Sequence, residues 1–487
     1  MEPCRYNRGR MPQLGTMDFY ENLRRYANNT AAIADDGSRI SYSELDRFAD
    51  GLFEKIKRRC LVFCLCENSP GSLVGYISCL KHKVVPLLLA KNLDSELLGG
   101  LIDLYKPEFL YLPAEMARGF MDCESVHAGL GYALLRTKLP ARYPLFPELA
   151  LLLTTSGSTG SPKLVRQSYG NISSNAAAIA QYLELTEAER PITTLTMSYT
   201  YGLSIINSHL QVGATLLLTS KTLFEKEFWD FFKAQEATSL SGVPYTYEIL
   251  KRLRFFRMDL PALRTMTQAG GKLAKDLTRE IAEFAASRNI RFFVMYGQTE
   301  ATARMGYLAP KYALSKCGSM GVAIPGGQFS LVDEHGQLIQ EPGTVGELVY
   351  RGANVTLGYA ECGEDLAKGD EFGGVLVTGD MAMRDKDGFY YITGRKKRFL
   401  KIFGNRVNLD ETEQMIKAQF GGLDCACAGR DDQMSIFITD AKFGKDIQDF
   451  LAHKTGLNSV AFVPRPIVRI PKNEAGKTRY VELEKLI

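Results

Sequence analysis

Short apolar runs alternate with amphipathic stretches along most of the chain. Five of these runs have the length and composition of buried strands, and they cover residues 61–66, 84–89, 109–112, 215–218 and 292–295. The segment 273–286 instead carries apolar residues at helical spacing, and Ser41 with Glu44 forms the capping-box pattern that opens a helix. Strands and helices that alternate in this way predict an α/β architecture.

The pattern changes after residue 320, where short strands are separated by turns rich in glycine and aspartate. These strands, at 329–333, 346–351 and 388–392, predict an antiparallel β region. A basic, glycine-bounded link at 394–404 then leads into about 80 residues, which suits a small α+β domain. We therefore expect a large N-terminal domain (1–394) of α/β sheets plus a β subdomain, hinged to a mobile C-terminal domain (395–487).

Composition limits the classes of function. The chain has 487 residues and a net charge of +4, with its Lys and Arg scattered along the sequence rather than concentrated in blocks. A nucleic-acid partner is therefore not expected, because it would need a concentrated basic surface. No apolar stretch is long enough to span a membrane, and the first residues lack the apolar core of a secretion signal. These features favour a cytoplasmic enzyme without membrane insertion.

Ten cysteines raise the question of disulfides or zinc. Cys64 with Cys66 and Cys425 with Cys427 form C-x-C pairs rather than the C-x₂-C pairs of zinc modules, and no histidine cluster accompanies them. Several cysteines lie inside apolar runs, such as the one at 61–65. The pattern predicts buried free thiols.

The segment 151–163 is the first with clear chemistry, because an apolar strand runs directly into a loop of Ser, Thr and Gly that ends in lysine. Glycines let backbone N–H groups approach an anion, hydroxyls add donors, and the lysine adds a full positive charge. The loop is not a Walker A motif, since Pro162 and Leu164 flank the lysine. The pattern predicts a polyphosphate-binding loop with the residues Thr155, Ser156, Gly157, Ser158, Thr159, Gly160 and Lys163.

Further segments follow this loop in a defined order. They are Tyr296-Gly-Gln-Thr-Glu300, then Thr378-Gly-Asp380 with Gly394-Arg395, and finally Ile470-Pro-Lys-Asn-Glu-Ala-Gly-Lys477. Together with the loop, they resemble the adenylate-forming superfamily of acyl-CoA synthetases, peptide-synthetase adenylation domains and beetle luciferases. The resemblance covers residues 40 to 480. It implies that ATP and Mg²⁺ are used to activate a carboxylic acid as acyl-AMP, with release of pyrophosphate, before the acyl group passes to a thiol.

The resemblance also assigns roles to catalytic residues. A carboxylate is ionised at neutral pH, so the reaction needs charge neutralisation at the α-phosphate rather than a general base. Glu300 would hold Mg²⁺, and Thr299 would contact the α-phosphate. Lys477 would bridge the carboxylate and α-phosphate oxygens. The arginine that often stands three residues after this lysine is replaced by Tyr480, with Arg479 one position early.

The same resemblance places the nucleotide and the mobile domain. Tyr296 would stack on adenine, Asp380 would accept both ribose hydroxyls, and Arg395 would support the ribose and phosphates. The remaining expected positions are the nucleotide-site glycines Gly270, Gly271 and Gly297, the hinge residue Lys397, and the thiol-path residues Lys401 and Gly404.

The acid pocket is expected, by resemblance, at 196–205, 242–247 and 269–271, with Tyr199, Gly202, Tyr245 and Ala269 as substrate residues. Residues 196–210 contain no Asp or Glu, whereas a buried ammonium group needs a paired carboxylate. The sequence therefore favours an uncharged acyl tail, and its tyrosines suggest a small or aromatic acid. An amino-acid-activating carrier-protein ligase for glycine or alanine is the alternative.

The acceptor thiol stays open between CoA and the phosphopantetheine of a carrier protein. No carrier segment follows Ile487, so we expect any carrier to be a separate chain. A kinase or ATPase of the P-loop type is the alternative from a different class, and it predicts phosphoryl transfer or orthophosphate release instead of AMP and pyrophosphate. A luciferase-like oxidation and a non-catalytic binding protein are further alternatives, and neither is favoured by the residues present.

Overall fold

The structure is a computed structural model that describes residues 18–139, 143–154, 163–396, 398–402, 405–430, 432–455, 457–473 and 476–487. Within these ranges, residues 399, 401, 405 and 406 are described by their backbone alone. Two large mixed sheets, a smaller antiparallel sheet and a C-terminal α+β region contain the strands of these ranges. The architecture confirms the predicted α/β class.

One mixed sheet has eight strands, of which four central strands are parallel and the edge strands antiparallel. In spatial order the strands are Gly358–Ala360, Leu164–Ser168, Leu149–Thr154, Val85–Ala90, Leu61–Cys66, Phe109–Pro113, Tyr132–Arg136 and Glu124–Gly129. The unbroken apolar run Leu61–Cys66 is buried along its whole length, as expected for a central parallel strand.

The second mixed sheet has nine strands, and six of them form a parallel block. Its spatial order is Val322–Ala323, Gly306–Leu308, Arg291–Tyr296, Thr265–Gln268, Ser239–Gly242, Pro191–Ile192, Leu216–Leu218, Thr30–Ala34 and Arg39–Ser41. The strand Arg291–Tyr296 ends in the first residue of the Tyr296–Glu300 motif. The motif therefore lies at the carboxyl end of a parallel strand, the edge where open α/β sheets bind ligands.

Helices cover both large sheets, and some of them pack between the sheets. The α-helices are Tyr42–Ile56, Pro70–Lys81, Ser95–Tyr105, Tyr169–Tyr182, Thr200–Leu210, Lys226–Ala234, Pro244–Arg252, Lys275–Ser287, Leu409–Gln419, Gly444–Thr455 and Tyr480–Glu484. The predicted capping box is confirmed, since Ser41 N donates to Glu44 Oε2 at 2.9 Å and Glu44 N donates to Ser41 Oγ at 3.2 Å. The largest apolar cluster joins side chains of both sheets through Pro70–Lys81 and Thr200–Leu210.

The antiparallel region predicted after residue 320 is confirmed as a four-stranded sheet. Its strands are Gln328–Val332, Val345–Arg351, Val375–Arg384 and Tyr390–Arg395. One segment of this region behaves differently. Gly358–Ala360 leaves the antiparallel sheet and pairs with Leu164–Ser168, the strand that follows the phosphate loop. This return connection brings distant parts of the sequence to the site described below.

The C-terminal region has an apolar cluster of its own, which includes Leu400, Ile416, Ile436 and Leu451. Its strands are Phe399–Ile402 with Asn405–Asn408 in a hairpin, and Cys425–Arg430, Gln433–Ile438 and Phe462–Pro466 in a three-stranded sheet. A large N-terminal part and a smaller C-terminal part are thus present, while the boundary at residue 394 stays a prediction.

All nine cysteines that the structure describes are free, and six of them are buried, as the C-x-C pairs in apolar runs predicted. In the described ranges, no helix combines the length and the apolar character needed to cross a membrane.

Candidate active site

Asp380 is the most enclosed acidic group among the predicted site residues, with 7% of its surface exposed. The Tyr296 hydroxyl donates to Asp380 Oδ2 at 2.5 Å, and Gln298 Nε2 donates to the same oxygen at 2.9 Å. The second oxygen, Oδ1, lies 3.7 Å from Arg395 Nε. Burial raises the pKa of Asp380, while the Tyr296 hydrogen bond and the Arg395 charge lower it. One carboxylate oxygen is therefore fixed by neutral donors, and the carboxylate keeps acceptor capacity for further hydroxyl groups.

Tyr296 was predicted to stack on adenine, and the structure gives its hydroxyl a definite partner. Burial and the neighbouring Asp380 raise the pKa of Tyr296 well above its usual range, so the phenol stays protonated and donates. The Gln298 amide also donates to the Thr378 carbonyl at 3.1 Å. The position of the Asp380 carboxylate thus depends also on Gln298, a motif residue for which the sequence predicted no role.

The turn after Tyr296 is held in an unusual backbone conformation. A Cβ atom at Gly297 would lie 1.6 Å from the Ala303 carbonyl oxygen, so only glycine fits there. Thr302 and Ala303 both have positive φ, at 52° and 94°, which is costly for residues with a side chain. The Glu300 carbonyl accepts from Thr356 N at 3.0 Å. Close packing on both sides therefore fixes the segment that carries Thr299 and Glu300.

Glu300 and Lys163, the lysine of the phosphate loop, both contact Tyr359. The Tyr359 hydroxyl donates to Glu300 Oε1 at 2.8 Å, and Lys163 Nζ lies 3.6 Å from the centroid of the Tyr359 ring. Lys163 is also 3.4 Å from the Glu361 carboxylate. The return strand Gly358–Ala360 makes this arrangement possible, and no sequence signal pointed to Tyr359. The loop residues Thr155, Ser156, Gly157, Ser158, Thr159 and Gly160 lie outside the described residues.

Glu300 was also predicted to hold Mg²⁺. The described residues contain no group of three or more His, Cys, Asp and Glu side chains that could hold a metal ion. A single carboxylate beside a cationic phosphate-loop residue fits Mg²⁺, because this ion is often held by one or two carboxylates together with substrate phosphates.

Lys477 lies on a tight turn that is organised by Asn473. Lys477 N donates to Asn473 Oδ1 at 2.9 Å, and Asn473 N donates to the Lys477 carbonyl at 2.9 Å. Gly476 has a φ of +72°, and a Cβ atom there would lie 2.8 Å from Cβ of Tyr245. Glycine is therefore required twice over, once for the backbone conformation and once for the close approach to Tyr245.

The charges around Lys477 connect the separate motifs. Burial lowers the pKa of Lys477, and the Arg395 guanidinium lowers it further, whereas Glu300 and Asp380 raise it. Lys477 thus lies within electrostatic reach of Arg395, Glu300 and Asp380. The C-terminal region places its lysine at the site built by the N-terminal part.

Tyr480 stands where the family often has an arginine, and it packs within the C-terminal region close to the lysine turn. The Arg398 guanidinium lies 3.4 Å from the centroid of the Tyr480 ring, and the Tyr480 hydroxyl donates to Glu413 Oε2 at 3.0 Å. The neighbouring Arg479 pairs with Glu482 instead. Stacking on an arginine and a hydrogen bond to a buried carboxylate therefore anchor the end of the lysine segment.

The predicted substrate residues fall into two groups. Gly270 has a φ of +83°, and a Cβ atom there would lie 2.7 Å from the Tyr199 hydroxyl, so Tyr199 packs over the glycine turn. Ala269 belongs to the same apolar cluster as Tyr199. At Gly202, a Cβ atom would lie 2.3 Å from the Thr196 carbonyl. Tyr245, in contrast, is 41% exposed and lies against the lysine turn, while Gly271 packs on the neighbouring Pro244 ring.

Three predicted positions of the hinge and thiol path give no side-chain geometry. Lys397 and Gly404 lie outside the described residues, and Lys401 is described by its backbone alone, within the strand Phe399–Ile402. Their roles stay predictions.

Comparison with known proteins gives the family of the chain. The family model described as "AMP-binding enzyme" matches residues 19–360, well over half of the chain. The chain is 29% identical to a 2-succinylbenzoate–CoA ligase of Geobacillus sp. over 298 residues, which are 60% of this chain and 58% of that ligase. It is 30% identical to an indoleacetate–CoA ligase of Aromatoleum aromaticum, over 59% of this chain and 56% of that ligase. The chain thus spans a little over half the length of these curated relatives.

A solved structure of the o-succinylbenzoate-CoA synthetase from Bacillus subtilis, in complex with its acyl-adenylate OSB-AMP, has the same fold. It matches with a TM-score of 0.75 and 21% identity over 95% of this chain and 98% of that chain. The family match removes the P-loop kinase alternative. The protein belongs to the AMP-binding enzyme family.

Proposed function

We propose that the protein is an ATP-dependent acid–thiol ligase that works through an acyl-adenylate. The observation that supports this most strongly is that the lysine turn, through Gly476, lies against Tyr245 of the N-terminal part, where the charges of Arg395, Glu300 and Asp380 act on Lys477. Charged residues of the N-terminal part and of the C-terminal region thus lie around the carboxyl end of a parallel strand. This is the combination that nucleotide binding and charge neutralisation in adenylation require.

In the first half-reaction, a carboxylate oxygen of the acid attacks the α-phosphorus of ATP and pyrophosphate leaves. The Lys477 ammonium group neutralises the charge that develops on the oxygens between the acid and the α-phosphate. Asp380 accepts the ribose hydroxyls, with Tyr296 and Gln298 holding its other oxygen, and Arg395 and Lys163 face the phosphates. Glu300 would hold Mg²⁺, which supplies further neutralisation when it is bound.

In the second half-reaction, a thiol attacks the acyl carbonyl and AMP leaves. We propose CoA as this thiol, because both curated relatives described above are named as CoA ligases. A rotation of the C-terminal domain about Lys397 would withdraw Lys477 and bring Lys401 and Gly404 to the thiol path. Such alternation needs only a few hinge residues. A cytoplasmic location would supply ATP and CoA.

For the acid, we propose a small or aromatic carboxylic acid without an α-amino group. Tyr199, Tyr201 and Ala269 form an apolar wall, and the helix Thr200–Leu210 contributes no carboxylate to it. The relatives' names contain aromatic acids, 2-succinylbenzoate and indoleacetate. Glycine and alanine stay the alternative substrates.

The test is acid-dependent exchange of labelled pyrophosphate into ATP over matched acids: propionate with alanine, and phenylacetate with phenylglycine. We expect exchange with the unsubstituted acids and AMP as the nucleotide product once CoA is added. Exchange with alanine alone would favour the amino-acid ligase. Orthophosphate release without exchange would contradict the proposal.

A further inference from the structure

Arg304 is a buried cation whose contacts are all with neutral groups. It is 2% exposed. Its Nε donates to Ser204 Oγ at 3.0 Å, and its Nη1 donates to the Tyr182 hydroxyl at 3.1 Å. The guanidinium carbon lies 5.2 Å from the centroid of the Tyr201 ring. These contacts orient the guanidinium but supply no negative charge.

Among the residues that the structure describes, no Asp or Glu oxygen lies within 4.0 Å of the Arg304 guanidinium. The nearby His209 does not change the balance of charge, because burial lowers its pKa to about 4 and leaves the imidazole neutral near pH 7. An unpaired buried charge is costly. Its cost falls when a ligand brings an anionic or electron-rich group close to it.

The position of Arg304 relates it to the proposed acid pocket. Tyr201 and Ser204 are on the helix Thr200–Leu210. Both belong to the segment 196–205, which is one of the three segments expected to form the acid pocket. The Tyr201 ring packs edge-on against Tyr199, with 6.4 Å between the ring centroids, and the Tyr199 hydroxyl lies over Gly270. The Tyr201 ring therefore lies between the guanidinium and Tyr199. Both Arg304 and Tyr201 are buried, so water screens the charge only weakly along this direction.

We propose that Arg304 sets the charge selectivity of the acid pocket. The pocket accepts acids whose tail carries a carboxylate or another electron-rich group, accepts neutral tails, and discriminates against tails that carry an ammonium group. This inference rests on the proposed acid-activating function. Arg304 lies outside the segments that were expected to form the pocket. Its positive charge would repel an ammonium group, in addition to the absence of a carboxylate that could pair with that group.

The size of the effect follows from Coulomb's law. The guanidinium carbon lies 5.2 Å and the Tyr199 ring centroid 6.4 Å from the Tyr201 centroid, so these two points are at most about 12 Å apart. At about 12 Å and an effective dielectric constant of about 20, one unit charge changes the affinity for another by roughly tenfold. A neutral tail and an ammonium tail of equal size should therefore differ by about tenfold in kcat/KM. An anionic tail should be at least as good as the neutral one.

The experiment uses two matched series in the pyrophosphate-exchange assay with the full chain. The aliphatic series is butyrate, succinate and β-alanine, and the aromatic series is 4-ethylbenzoate, terephthalate and 4-(aminomethyl)benzoate. Arg304→Met removes the charge at similar volume, and Arg304→Lys keeps it. Arg288→Met removes an exposed positive charge elsewhere and is the matched control. Thermal unfolding of each variant checks that it is folded.

We expect the wild type, Arg304→Lys and Arg288→Met to discriminate about tenfold against the ammonium tails, and Arg304→Met to lose most of this discrimination. Equal discrimination by Arg304→Met and the wild type would overturn the inference. The inference would also be overturned if the wild type exchanged the ammonium acids as fast as the neutral ones. This second test needs only the wild type, so it holds even if Arg304→Met does not fold. Lack of exchange with every acid in the wild type would instead contradict the proposed function.

Discussion

The two halves of the candidate site are built differently. Asp380 is enclosed by Tyr296, Gln298 and Arg395, all within the N-terminal part or at its last strand. Lys477 lies on a short turn of the C-terminal region, and this turn approaches the N-terminal part through the contact of Gly476 with Tyr245. The first half is a preformed pocket, whereas the second half depends on how one small region is placed against another.

This difference separates binding from chemistry. A buried carboxylate that is fixed by several donors costs no reorganisation when a ribose binds, so it can serve both half-reactions. A lysine on a turn with a narrow contact can be brought in for one half-reaction and withdrawn for the other. Variants of the first half should therefore impair both half-reactions, whereas variants of the second half should impair adenylation alone.

The largest effect is expected for Lys477→Ala. Loss of a charge that acts at the transition state should lower adenylation about 10²–10³-fold or more, by analogy with the loss of one oxyanion donor. Thiolation of an acyl-AMP supplied ready-made should be spared. Lys472→Ala is the matched control, because Lys472 is on the same turn and makes an exposed ion pair with Asp424. Equal loss of both half-reactions would refute the role given to Lys477.

Asp380→Asn should weaken both half-reactions. It keeps an acceptor for Tyr296 but removes the charge, which is worth about 1.5–3 kcal/mol for a charged hydrogen bond, or roughly ten- to hundredfold in nucleotide affinity. The measurements are the KM for ATP in exchange and the affinity for acyl-AMP in thiolation. Asp387→Asn changes an exposed aspartate in the turn between the strands Val375–Arg384 and Tyr390–Arg395 and should leave both unchanged. A loss confined to one half-reaction would contradict the claim that the Asp380 half of the site serves both.

Adenylation should also depend on pH through Lys477. Burial and Arg395 lower the pKa of Lys477, and the ammonium form is the active one, so activity should fall as pH rises through this lowered pKa. Bound ATP and acid are anionic and favour the ammonium form. The alkaline limb of kcat should therefore lie at higher pH than that of kcat/KM. Lys477→Arg should lose this limb, since its guanidinium stays protonated. An unchanged limb would assign the titration to another group.

The smallest effect is expected for Tyr480→Phe. The ring keeps its contact with Arg398, but the hydroxyl no longer donates to the Glu413 carboxylate, which costs about 1.5–3 kcal/mol of stability in the C-terminal region. Adenylation should fall less than tenfold, and chemical denaturation measures the loss of stability. A loss of adenylation as large as that of Lys477→Ala would mean that Tyr480 positions the lysine far more strictly than its contacts indicate.

Local patterns made the fold largely predictable from sequence. Ser41 and Glu44 form a capping box because both partners lie within one helical turn, and apolar runs such as 61–66 became central strands with their ends within a residue or two. The motifs likewise named the positions that meet at the site. Each of these inferences depends on residues that are neighbours in sequence.

The contacts that cross the fold could not be predicted in this way. Tyr359 reaches Glu300 only because the strand Gly358–Ala360 pairs with a strand of another sheet. The residues next to Tyr359 in the sequence do not indicate this pairing. No pattern in the sequence indicates that Arg304 is buried, yet it is enclosed and its guanidinium lies near the Tyr201 ring. Tyr245, which is predicted to line the acid pocket, also contacts Gly476 of the C-terminal region, and its own segment does not indicate this contact. Pairing between distant strands and segments decides all three.

The most direct test of the central claim follows oxygen from the acid. A carboxylic acid that supports exchange is labelled with ¹⁸O in both carboxylate oxygens and converted to its thioester with ATP and CoA. Attack of the carboxylate on the α-phosphorus leaves one of its oxygens on the phosphate, so we predict one ¹⁸O atom in each AMP, measured by mass spectrometry. Unlabelled AMP, or label in orthophosphate with ADP as product, would contradict an acyl-adenylate and with it the roles proposed for both halves of the site.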